Sequence, residues 1–113
     1  MFTDDWDSLD NCAGLYILDE NKKPVECKSL KKWSEFMGKG ENKRVAETTI
    51  NGKCYVSTVF LGVDQGFGLS IEGKPLVFET MVFGGFLDQE MMRYHAYEDA
   101  LKGHDAMVVL TDE

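Results

Sequence analysis

The sequence has little of the material from which metal centres, disulfide frameworks and nucleic-acid interfaces are built. Its three cysteines, Cys12, Cys27 and Cys54, are an odd number without a C-x-x-C pair, which fits neither a disulfide framework nor a zinc site. Twelve basic residues stand against 20 acidic ones, and a net charge of −8 disfavours a phosphate backbone as partner. We therefore predict reduced thiols, no cofactor and no nucleic-acid partner.

Long apolar runs and catalytic motifs are missing as well. No apolar stretch approaches the roughly 20 residues of a membrane-spanning helix, and the first residues lack the positive and apolar regions of a secretory signal. No G-x-S-x-G, H-E-x-x-H or phosphate-binding glycine motif occurs. These absences predict a cytoplasmic protein without a membrane partner, and they favour a binding protein over an enzyme.

The composition is that of an ordinary globular protein. Hydrophobic residues make up 43% of the sequence and charged residues 28%. A chain of 113 residues is long enough to bury one hydrophobic core and too short for two. Acidic residues dominate the first 12 positions. We predict a flexible acidic tail over residues 1–12 and a single α+β domain over residues 13–113.

Turn and capping signals predict the order of the elements. Asn51-Gly52 between two β-favouring runs is a strong hairpin signal, and Ser29 can cap a short helix that ends at Gly38. Residues 39–43 are expected to be a polar loop, residues 62–68 a pliable glycine-containing loop, and residues 96–110 a final helix. The prediction is an antiparallel meander sheet of five or six strands packed against two helices.

Glu79 and Arg93 form the first candidate constellation. Glu79 lies in an apolar run that we expect to be a central strand, where an unpaired carboxylate is costly. A hairpin turning at residues 84–89 places Arg93 nearly opposite Glu79. The pair is either a cross-strand bridge or part of an anion site in which Arg93 binds the ligand and Tyr94 or His95 adds contacts.

His104 lies on the apolar stripe of the last helix, where we expect a hydrogen-bonded core histidine. The alternative combines it with Asp64, Glu79 and His95 as ligands of a divalent metal.

The methionines near the second hairpin allow two interpretations. Met81, Met91 and Met92, close to Phe83 and Phe86, either fill the core or form an adaptable apolar surface for a partner.

Three stretches resemble small uncharacterised proteins of bacteriophages and prophages: Val-Ser-Thr-Val-Phe-Leu-Gly-Val-Asp from Val56, Leu-Val-Phe-Glu-Thr-Met-Val-Phe from Leu76, and Arg93-Tyr94 with Ala-Leu-Lys-Gly-His from Ala100. The resemblance covers about residues 45–110. The family often has histidine at the position of Gln65 and Ser or Thr at that of Ala96, and this chain departs at both. The resemblance implies a phage origin and carries no information about a catalytic role.

Three functions remain open from the sequence. The first is a phage accessory protein that binds a host protein, in a host-takeover or anti-defence role in the bacterial cytoplasm. The second is an oligomer that sequesters a small anionic ligand such as a nucleotide. The third is a metal-dependent hydrolase.

Overall fold

The computed structural model describes residues 13–66 and 74–112, so the predicted acidic tail and the last two residues of the predicted loop at 62–68 lie outside the described residues. The elements are, in chain order, β1 (Tyr16–Leu18), β2 (Pro24–Glu26), α1 (Leu30–Met37), α2 (Gly40–Lys43), β3 (Arg44–Ile50), β4 (Cys54–Phe60), β5 (Phe78–Phe83), β6 (Met91–Tyr94) and α3 (Tyr97–Thr111).

The architecture is α+β, as predicted, but the strands form two sheets. β3, β4, β5 and β6 make an antiparallel meander, and β1 pairs only with β2. A single bridge between Leu15 and Val63 links this small hairpin to the residues after β4, where the Gly62 carbonyl accepts the Tyr16 N–H at 2.8 Å. Where one sheet of five or six strands was predicted, residues 13–66 and 74–112 form a four-stranded sheet and a separate two-stranded hairpin.

Local sequence explains most of the boundaries. Asn51 and Gly52 both adopt positive φ, 53° and 67°, and turn β3 into β4. The Ser29 side chain accepts the Lys32 N–H at the start of α1. Residues predicted as a loop instead form the short helix α2, because the Lys39 carbonyl accepts the Asn42 N–H at 3.0 Å. The described part of the chain thus contains three helices where two were expected.

Helix α1 lies against Gly62. The Trp33 indole donates to the Gly62 carbonyl at 2.9 Å, and Gly62 has a φ of 76°. A Cβ at this position would overlap the Met37 side chain. This glycine therefore permits both the turn and the close approach of α1.

Helix α3 packs on one face of the four-stranded sheet and contacts all four strands. Cross-strand pairs line that face in rows, because paired residues point to the same side. The rows are Phe60 with Phe78, Thr58 with Thr80, and Val56 with Val82, and all six are buried. In the described part of the chain, no helix has both the length and the apolar character needed to cross a membrane.

Candidate functional site

A polar layer divides the core under α3 into two apolar clusters. Phe60 and Phe78 belong to the first cluster, which packs near the start of α3 around Ala100. Val56 and Val82 belong to the second, around Met107. His104, one turn from each of these helix residues, lies in the threonine row between the clusters.

Hydroxyl groups from all four strands meet in this layer. His104 Nε2 lies 2.8 Å from Thr48 Oγ1, and His104 Nδ1 lies 2.7 Å from Thr58 Oγ1. Thr58 Oγ1 lies 2.5 Å from Thr80 Oγ1, which accepts the Tyr94 hydroxyl at 3.1 Å. We call these five residues the His104 network.

Burial keeps the imidazole neutral and out of reach. His104 is 3% exposed, and Thr58 and Thr80 are 0% exposed. Burial lowers the pKa of His104, and nearby Asp105 raises it by a smaller effect. A neutral ring offers one donor and one acceptor, so one threonine donates to it while the other accepts. With both nitrogens engaged, the ring acts as a structural link, as expected for a core histidine.

Glu79 and Arg93 meet on the opposite face of the sheet. They are direct cross-strand partners, and Arg93 Nε donates to Glu79 Oε2 at 3.1 Å. The predicted register is therefore confirmed. Both side chains retain contact with solvent.

The structure does not bring all residues of the proposed anion site together. Tyr94 points to the helix side, because neighbouring strand residues face opposite sides. The His95 ring lies 2.9 Å from the Pro75 carbonyl through Nδ1. Arg93, Tyr94 and His95 thus do not converge on one point.

The proposed metal ligands are also separated. Buried Asp64 accepts the Gly66 and Leu76 N–H groups at 2.8 and 3.0 Å, which holds the ends of the loop after β4. His104 and Glu79 lie on opposite faces of the sheet. Within residues 13–66 and 74–112, no three His, Cys, Asp or Glu side chains are grouped to hold a metal ion, so the metal interpretation is wrong for these four residues.

Cys27 and Cys54 are buried free thiols. A buried free cysteine packs as a small apolar residue. Cys12 lies outside the described residues.

A groove runs between the edge strand β6 and the C-terminal half of α3. It has a volume of about 330 Å³. Its walls are mainly apolar, with Glu90 at the rim. We call it the β6 groove, and its main lining residues are Met92, Tyr94, Gly103, Ala106, Met107 and Leu110.

Small residues on α3 create the room for the groove. Gly103 lies against Tyr94, and a Cβ at Gly103 would overlap the phenol ring. Ala106, one turn later, leaves space opposite Met92. The helical spacing of these small residues is visible in the sequence. The sequence does not show that, in the described structure, no further strand lies beside β6. Sequence analysis therefore missed the groove.

Large apolar side chains are exposed on the hairpin that joins β5 to β6. Phe86 is 71% and Met92 is 53% exposed, and Phe83 and Met91 are exposed as well. We call these four side chains and the β6 groove the β6 surface. It spans both sides of the hairpin, because Met92 lies on the α3 side, whereas Phe83 and Met91 lie on the opposite face of the sheet. Of the two interpretations of the methionines, exposure favours the surface for Met91 and Met92, while Met81 is half-buried.

Comparison with protein-family models, with curated proteins and with solved structures finds no match.

Proposed function

We propose that the protein is a phage-encoded accessory protein that acts by binding a host protein, and that the β6 surface is its contact surface. The observation that carries the proposal is the concentration of exposed apolar side chains on one hairpin. Phe83, Phe86, Met91 and Met92 lie within twelve sequence positions of one another. Surface patches of this kind on soluble proteins commonly mark interaction sites.

Aromatic residues and methionine are the types enriched at the centres of protein interfaces. A few buried anchors usually supply most of the binding energy. Phe86 and Met92 are the best-placed anchors, because they are the most exposed of the four.

Charge indicates what kind of partner would fit. The chain carries a net charge of −8, and Glu90 lies at the rim of the β6 groove. Complementary charges speed encounter and disfavour wrong partners. The partner is therefore expected to present an apolar patch bordered by basic residues. The resemblance to phage proteins supports a bacterial host as its source, in a takeover or anti-defence role.

Site-specific photo-crosslinking in bacterial cells tests this proposal. A photoreactive residue replaces Phe86 or Met92 in two variants and Thr49, on the far strand β3, in a third. The proposal expects one host protein to crosslink from positions 86 and 92 and not from position 49.

A matched pair of variants supplies the control. Phe86→Ser with Met92→Ser should abolish capture of that host protein without unfolding the chain. Leu101→Ser removes an exposed apolar side chain away from the β6 surface and should leave capture unchanged. Equal crosslinking from all three positions, or none in any susceptible host, would contradict the proposal.

A further inference from the structure

We propose that the partner contributes an extended basic segment, which pairs with the free edge of β6 and places one apolar side chain in the β6 groove. This inference rests on the function proposed above and specifies its binding mode.

The backbone of β6 is arranged for such pairing. Among the described residues, β6 is the last strand of its sheet. The Glu90 carbonyl accepts the Val82 N–H at 3.0 Å, and peptide groups alternate in direction along an antiparallel strand. The peptide groups of Met92 therefore face β5, while those of Met91 and Arg93 face away from the sheet. An added strand would find donors and acceptors at both positions.

The β6 groove lies where a side chain of that added strand would point. Met92 and Tyr94 face the helix side of β6, and Gly103 and Ala106 leave space across from them on α3. Alternate residues of an added strand share this side. One of them, an aliphatic or aromatic residue, would enter the groove while its neighbours stay on the open face.

The negative charge of the chain favours a basic segment, and not a second copy of this chain, as the occupant of the β6 groove. Arg93 is already paired with Glu79, so it contributes little free positive charge at the edge. Glu90 borders the groove. A second copy would bring another net charge of −8, whereas a segment with Lys or Arg near the apolar anchor would complement both the rim and the whole chain.

The probe is a displayed library of random peptides about nine residues long, a length within the range of natural strands. The full chain is the target, and the enriched peptides are then synthesised. We expect them to combine an apolar anchor with Lys or Arg. Peptide binding should slow hydrogen exchange at the amides of Met91 and Arg93 and leave Glu47 and Thr49, on the β3 edge, unchanged.

Two matched variants test the groove. Ala106→Phe fills it from an exposed helix position, and Val109→Phe adds the same bulk at an exposed position outside it. Ala106→Phe should weaken peptide binding at least about tenfold, equivalent to about 1.4 kcal/mol, and Val109→Phe should leave it unchanged. Circular dichroism checks that both variants fold.

Three results would overturn the inference. They are a failure to enrich peptides, peptide binding that is insensitive to Ala106→Phe, and a concentration-dependent dimer that is disrupted by Ala106→Phe. If host-protein crosslinking from Phe86 and Met92 persists in any of these cases, the proposed function stands and only the strand-addition mode fails. Loss of crosslinking would remove the proposed function itself.

Discussion

The two edges of the four-stranded sheet differ in how they meet solvent. On β3, the Glu47 carboxylate accepts the Tyr55 hydroxyl at 2.5 Å and lies 3.4 Å from Arg44 Nε. The hydrogen bond to Glu47 raises the pKa of Tyr55. On β6, Met91 and Met92 are exposed instead. Charged side chains on an edge oppose further strand pairing, so the difference supports the proposal that a partner binds at β6.

Both edges are nevertheless held to α3 by the same hydrogen-bonded chain. The His104 network begins at Thr48 on β3 and ends at Tyr94 on β6. The two edge strands therefore differ in their exposed side chains, but the His104 network connects both of them to α3. Variants that remove a residue of the His104 network should lower the stability of the whole sheet, whereas variants that alter the exposed side chains of one edge should have local effects.

The largest effect is expected from His104→Ala. The change leaves a cavity and removes the partner of Thr48 and Thr58, which should lower the free energy of unfolding by about 3 kcal/mol. Urea denaturation followed by tryptophan fluorescence measures this change. His95→Ala is the control, since that half-buried ring is hydrogen-bonded to the Pro75 carbonyl and its loss should cost about 1 kcal/mol. Equal losses from the two variants would contradict a central role for the network.

Gly103→Ala tests the approach of α3 to the β6 edge. In an ordinary helix interior this change gains about 1 kcal/mol. Here the new methyl group would overlap the Tyr94 phenol, so we expect a loss of about 1–3 kcal/mol in the free energy of unfolding. In a Tyr94→Ala background, Gly103→Ala should become stabilising. A stabilising effect in the wild-type background would show that Tyr94 does not press on the helix.

The pH dependence of stability should report on His104. Its pKa is lowered by burial, so below the unfolded value of about 6.5 the unfolded chain binds more protons than the native protein. Stability is therefore fully present above that value and falls as the pH drops toward the lowered native pKa.

Denaturation midpoints between about pH 7.5 and 5 measure this slope. His95→Ala should keep the His104 contribution, and His104→Gln should remove it. An unchanged slope in His104→Gln would assign the dependence to other groups.

The smallest effect is expected at the Glu79–Arg93 bridge. The side chains are 16% and 37% exposed, respectively, so solvent screens the pair. A double-mutant cycle with Glu79→Gln and Arg93→Ala should give a coupling of about 0.5 kcal/mol that shrinks in high salt. A coupling above about 2 kcal/mol would place this bridge among tightly buried pairs and would weaken the contrast with the His104 network.

Local signals in the sequence predicted the main hairpins and the last helix. Asn51-Gly52 marked the turn between β3 and β4, and the turn near residues 84–89 aligned Glu79 with Arg93. Both depend on turn chemistry and strand alternation, which act over a few residues. The α+β class followed from the same signals.

Features that depend on long-range packing were missed. The hairpin of β1 and β2 is linked to the residues after β4 by the bridge from Leu15 to Val63 and by the Tyr16 N–H, and no local pattern in the sequence distinguishes this from full pairing with the main sheet. The sequence pattern does not distinguish Thr48, Thr58 and Thr80 from ordinary strand residues. Their role follows from the packing of α3, which places His104 among them.

The grouping of Arg93 with Tyr94 was a different kind of error. Alternation already places neighbours on a strand on opposite faces. The predicted strand therefore argued against a shared site, and the structure separates the two side chains.

Hydrogen exchange on the complex with the crosslinked host protein is the most direct test of the difference between the edges. We expect exchange at the Met91 and Arg93 amides to slow at least about tenfold on binding, with no change at Glu47 and Thr49. Protection confined to Glu47 and Thr49 would contradict the account, because the partner would then occupy the edge that carries the charged side chains.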